Sequence, residues 1–176
     1  MSKKTMRWLC LGAVVMAVLA GFAVLGIYQL RFRVQKDPLD QYEILDAGQD
    51  KFAWEFESSQ GKNGELTVSG WLVEPGREYK GLNSGTGGEN RGVYNCVWVA
   101  LLDPESETVY RFPTQACIPD KGDPYPQDGI DHKNCAFTSR VKKGRWASLP
   151  DAQLCLAVKT YEEDWYLIPT ERRWQE

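Results

Sequence analysis

Residues 93–102 read VYNCVWVALL, and the rest of the fold is read outward from them. The run is apolar at odd and even positions alike, the pattern of a strand covered on both faces. Asp103-Pro104-Glu105 turns the chain directly afterwards, and TVYRFPT (108–114) follows as the hairpin partner. Upstream, ELTVSGWLV (65–73) sets Leu66, Val68 and Leu72 on one face. FAWEFE (52–57) alternates Phe52, Trp54 and Phe56 with Ala53, Glu55 and Glu57. Downstream, AFTSRV (136–141) reads as a further strand, and QLCLAVKTY (153–161) with DWYLIPT (164–170) as a second hairpin about Glu162 and Glu163. About seven short strands in roughly 125 residues predict an all-β, antiparallel β-sandwich over residues 51–176.

The N-terminal part follows a different rule. Trp8 to Tyr28 carry no charge, with Lys3, Lys4 and Arg7 before them and Arg31, Arg33 and Lys36 after. About 20 apolar residues at 1.5 Å each span a hydrocarbon layer of ~30 Å, and inside lipid a single segment satisfies its backbone only as a helix. The expected organisation is a cytoplasmic tail (1–7), a transmembrane helix (8–30), a juxtamembrane linker (31–50) and the sandwich. Trp8 and Tyr28 suit the headgroup level. A cleaved signal peptide, with Val18-Leu19-Ala20 as its processing site, is the competing reading, but the apolar run continues past Ala20 to Leu30. Ala13, Ala17 and Gly21 recur every fourth residue, which raises a homodimer through the helix. Against it, small residues are common in any membrane helix. In the linker, Asp37 suits a helix N-cap, Pro38 the first helical position and Gly48 the stop, so a short helix is expected there.

Charge and cysteine content narrow the function classes. The formal net charge is −3 with both signs interspersed, so no electrostatic footprint for nucleic acid exists. Cys96, Cys117, Cys135 and Cys155 lie outside the apolar run. Their wide scatter, with His132 as the single histidine, fits two disulfides better than zinc, which takes close C-x-x-C pairs. Disulfides imply an oxidising compartment, and hence a plasma-membrane protein with a cytoplasmic N-terminus and an extracytoplasmic C-terminal domain.

No catalytic signature emerges, and no metal or cofactor is expected. His132 sits in the polar run DGIDHKN, where a solvated loop residue is the expectation. GLNSGTGGENRG (81–92) lacks the Gly-Lys-Ser/Thr ending of a phosphate loop. Asp120, Asp123, Asp128 and Asp131 offer oxygen ligands for calcium, but their spacing is not that of an EF-hand, and Asp, Gly and Pro also simply make turns. No pair of acids stands out for glycoside hydrolysis, so an envelope hydrolase is the weakest reading.

GWLVEPG (70–76), VYNCVWVALLDPESETVYRFPT (93–114), a DG-containing loop before CAF (135–137) and LCLAVKTYEEDWYLIPTE (154–171) follow one another in an order that resembles the immunoglobulin-like ectodomains of single-pass envelope proteins of Gram-positive bacteria. The resemblance covers about residues 50 to 172, and its motifs are structural, carrying no site residues. It implies that the strands from Val93 and from Gln153 are neighbours in one sheet. With Val97, Val99 and Leu101 inward beside Leu154, Leu156 and Val158, Cys96 and Cys155 both point outward. On that order the expected bonds are Cys96–Cys155 and Cys117–Cys135, one of three pairings that four cysteines allow. Tyr94, Trp98 and Trp165 share the outward face, above the small Ala100 and Ala157. These three are the candidate contact residues for an envelope glycan or a partner protein, unless the linker or the Gly81 loop covers them. The expected function is a membrane-anchored binding module, with a non-catalytic accessory subunit of a membrane complex as the alternative.

Overall fold

The computed structural model describes residues 3–31, 33–45, 51–61, 65–76, 82–83, 95–117, 132, 135–142, 149, 151–160 and 162–173. They divide into two compact units, Met1–Arg33 and Val34–Glu176.

The first unit is helix α1, Lys3–Arg31. Its side chains are described over 12–26, and Val14, Met16, Leu19, Phe22 and Val24 among them are exposed. Successive exposed residues at these spacings leave no polar face. Among the described residues no helix is long and apolar enough to cross a membrane.

The second unit is a sandwich of two sheets. One sheet contains β1 (Gln35–Pro38), β2 (Glu43–Ile44), β5 (Leu82–Asn83), β6 (Asn95–Asp103), β7 (Thr108–Arg111), β10 (Gln153–Lys159) and β11 (Trp165–Arg173). Its order is β1-β7-β6-β10-β11-β2, with β5 beside β6. The other sheet, β3-β4-β9-β8, is built from β3 (Ala53–Gln60), β4 (Glu65–Val73), β9 (Ala136–Lys142) and β8 (Thr114–Cys117). All pairings are antiparallel except β11 with β2 and β5 with β6.

Period-two patterning sets the core as expected. Val97, Val99 and Leu101 of β6 and Leu154, Leu156 and Val158 of β10 meet Val68, Leu72, Phe137 and Val141 of the facing sheet. Each such side chain contributes about 1.5–3 kcal/mol on full burial. Phe56 stands opposite Gly70 on β4. The strands approach so closely there that a Cβ on Gly70 would lie 2.2 Å from the Glu55 carbonyl oxygen and 2.7 Å from the Phe56 Cα, so only glycine fits.

Two expectations are corrected. TVYRFPT is not one strand, because β7 ends at Arg111 and β8, in the other sheet, begins at Thr114. Pro113 lacks the N–H that a continuing ladder needs. The crossing is fixed where the Phe112 N–H donates to the Val99 carbonyl at 2.8 Å and the Val99 N–H donates to the Thr114 hydroxyl at 2.9 Å. The linker helix is also replaced. Only a single 3-10 turn, Leu39–Gln41, forms between β1 and β2. Asp37 does not cap it, because its carboxylate is engaged elsewhere.

Candidate functional site

Residues 35–44 form a strap across the outward face of the larger sheet. β1 pairs with β7 at one edge, with Asp37 opposite Val109, and β2 pairs with β11 at the other, with Ile44 opposite Leu167. Between them the 3-10 turn crosses over β6 and β10. Underneath lie Ala100, Leu102, Val109, Cys155, Ala157 and Leu167, all buried, with Leu39 and Tyr42 of the strap packed on them. The space above Ala100 and Ala157 foreseen in the sequence is thus filled by the linker itself.

Two of the expected contact residues meet at this strap. Trp98 faces Ala157 on β10, and Trp165 faces Lys159. The small Ala157 lets the indoles stack, with ring centroids 5.4 Å apart and an interplanar angle of 23°. Tyr42 packs edge-on against Trp165 at 5.5 Å. Both tryptophans remain half-buried. Tyr94, the third expected contact, lies outside the described residues.

The sequence reading missed the group at the centre. Arg111, 7% exposed, holds its guanidinium carbon 4.6 Å from the Trp98 ring and 4.5 Å from the Trp165 ring. It pairs with Asp37 in bidentate fashion: Nε donates to Oδ2 and Nη2 donates to Oδ1 at 3.1 Å. The Tyr42 hydroxyl donates to the same Asp37 Oδ2 at 2.8 Å. Burial raises the Tyr42 pKa, against the opposing pull of Arg111, so the phenol stays a donor. Lys159 lies 5.6 Å from the Trp165 ring and pairs with Glu163. The arrangement is a closed cation–π and ion-pair cluster, neutralised from within. The faces of Trp165 already carry Arg111, Trp98 and Tyr42. One signal pointed here: Arg111 is a charged residue set opposite Ala100 on a buried face, and such a charge calls for an acid partner.

The outward face of the smaller sheet differs. Trp71, Val73 and Cys135 form a small buried cluster with Ala53. The buried Trp71 Nε1 finds no acceptor among the described residues. Cys117 stands opposite Ala136, itself opposite Trp71. His132, expected in a solvated loop, is 2% exposed.

The expected Cys96–Cys155 bond is overturned. Both side chains do point outward, but Cys96 is opposite Lys159 and Cys155 is opposite Ala100. Four residues of offset separate them by roughly 13 Å along the strands, beyond the ~7 Å that a disulfide bridges. Cys155 is a free thiol beneath the strap, donating to the Gln153 carbonyl at 3.4 Å. No disulfide joins cysteines among the described residues, and no group of three His, Cys, Asp or Glu side chains among them is placed to hold a metal. The Asp120–Asp131 segment lies outside the described residues.

No protein-family model, no curated protein and no solved structure matches the chain.

Proposed function

We propose that this chain is a membrane-anchored, extracytoplasmic accessory module of the cell envelope, whose immunoglobulin-like sandwich engages a partner protein noncovalently. The strap carries this reading. Helix α1 ends at Arg31 and β1 begins at Gln35. The chain from Gln35 is tied to both edges of the larger sheet and locked by Asp37 and Arg111. A face closed in this way by the chain itself favours an accessory role over ligand capture on that face. The uncharged run Trp8–Tyr28, wholly within α1, supports the anchor. Strand orders β3-β4-β9-β8 and β7-β6-β10-β11 support the immunoglobulin-like arrangement. The sidedness draws on the basic N-terminal tail, Lys3, Lys4 and Arg7.

Glycan recognition is the second reading, favoured by the partial exposure of Trp98 and Trp165. The occupied faces of Trp165 weigh against it. One experiment separates the two. The full chain, expressed in its membrane and crosslinked, should capture a defined partner that is lost when α1 is replaced by an unrelated anchor and retained in Trp98→Ala. Binding of the purified domain to envelope glycans, abolished by Trp98→Ala without loss of fold, would reject the accessory reading.

A further inference from the structure

We infer that the free edge of β3 docks an extended segment of a partner protein, one that alternates basic and apolar residues and adds to the smaller sheet as a further strand. Two hydrogen bonds set the phase of the ladder. The Gly61 N–H donates to the Glu65 carbonyl at 2.7 Å, and the Leu72 N–H donates to the Cys135 carbonyl at 3.0 Å. Bonded pairs recur at every second residue of an antiparallel ladder, so Ala53, Glu55, Glu57 and Ser59 turn their backbone groups to β4. Trp54, Phe56, Ser58 and Gln60 turn theirs the other way, where β3 has no neighbour among the described strands. No backbone hydrogen bond from a described residue reaches them there.

An open edge is a template for another chain, and proteins usually blunt it. The other edges here are blunted. β1 carries Lys36 and Pro38, β2 and β5 have two residues each, and β8 has four and follows Pro113. β3 runs for eight residues in unbroken register, with no proline, lysine or bulge. Charge selects the occupant. Glu55 and Glu57 are exposed on the outward face and make no ion pair with a described residue. Trp54 and Phe56 lie on the inward face, half-buried and stacked at 5.8 Å, with the Arg172 guanidinium 5.3 Å from the Phe56 ring. An added strand therefore sets lysine or arginine beside the two glutamates. It sets apolar side chains beside the two rings, where Arg172 repels a cation. A second copy of this chain fits badly. The two longest antiparallel registers of β3 with itself put Glu55 against Glu57, or Glu57 against its own copy, and like charges directly opposite destabilise a pair.

The inference rests on the proposed accessory reading for the existence of such a partner, and it is tested apart from it. The probe is a labelled synthetic peptide alternating lysine with valine, added to the purified full chain in non-ionic detergent. In the chain alone, the amides of Phe56 and Ser58 should exchange fast beside slow Glu55 and Glu57. The peptide should slow the fast pair by about tenfold or more. Glu55→Lys with Glu57→Lys should weaken its binding about tenfold and admit a glutamate–valine peptide instead. Ser58→Pro removes an outward-facing donor, together with an exposed hydrogen bond from Arg172. It should keep the β4 ladder and abolish binding. The charge reversal alters only exposed side chains, so it decides the matter even where Ser58→Pro does not fold. Slow exchange of Phe56 and Ser58 in the chain alone would overturn the inference. So would no binding of the lysine–valine peptide, or binding that either folded variant leaves unmoved. None of these outcomes involves α1, so they are distinct from failure of the accessory reading, which replacement of the helix decides.

Discussion

The outward faces of the two sheets both hide a tryptophan, yet they do so by different means. On the larger sheet, residues 35–44 partly cover Trp98 and Trp165, and the Arg111 guanidinium between them pairs with Asp37, which also accepts from the Tyr42 hydroxyl. On the smaller sheet, Trp71 is buried with its indole N–H unanswered among the described residues, next to Cys135. A satisfied polar network fixes one geometry. An unanswered buried donor instead costs about 1–3 kcal/mol. The comparison sets a polar network that fixes the strap side against an apolar cluster with one unanswered donor on the other.

The sharpest way to break that comparison is to remove one half of the ion pair. Arg111→Leu leaves the Asp37 carboxylate under the strap without its cation, a loss of about 3–5 kcal/mol for a buried pair cut in half. Thermal unfolding followed by circular dichroism should register it as a lowered Tm. Tyr42→Phe, which removes one hydrogen bond to a charged acceptor, should cost about 1.5–3 kcal/mol. The joint Asp37→Leu, Arg111→Leu variant should recover much of the first loss, because no orphan charge remains. A cost below about 1 kcal/mol for Arg111→Leu would class the pair with solvated surface bridges and remove the basis for a locked strap.

On the smaller sheet the matching test is Gly70→Ala. The added methyl would meet backbone and Cβ atoms of Glu55 and Phe56, not the yielding end of a side chain. Overpacking of this kind costs about 1–3 kcal/mol, and backbone contact puts this site at the upper end. The loss should be confined to the β3–β4 pairing, visible as faster amide exchange in Glu55 to Glu57 and Ser69 to Leu72. Protection of the strap should stay unchanged. Equal loosening of both sheets would mean that the two faces are not independent.

Much of the fold was legible because strand patterning is local. Alternation alone put Val97, Val99, Leu101, Leu154, Leu156 and Val158 inward, and Trp98, Ala100, Cys155 and Ala157 outward, as found. Alternation fixes the face of a side chain, though, and not its height along the strand. For that reason Cys96 and Cys155 shared a face and still missed each other by four residues. The strap was misread for a related reason. Asp-Pro is a sound helix-start signal locally, but the Asp37 carboxylate answers Arg111, 74 residues away. No local rule announces that pairing.

A last test of the strap side uses the thiol beneath it, and pH sharpens it. Burial pushes the Cys155 thiol from its ordinary value of 9.0 up to about 12, against the opposing pull of backbone hydrogen bonds from Leu102 and Thr170. The native state therefore keeps this proton where the unfolded chain releases it. Its contribution to stability is whole below pH 9, where both states are protonated, and is lost as the pH climbs towards 12. Tyr42 and Lys51 also have raised values and push in the same direction at still higher pH, so the window from 9 to 10 isolates the thiol best. Across it, the parent chain should lose Tm more steeply than Cys155→Ala, measured in detergent at constant ionic strength. Native Cys155 should also resist alkylation at pH 8 and become labelled only on unfolding. Parallel slopes for the two chains, or prompt labelling of Cys155, would mean that the strap opens readily and does not seal the face it covers.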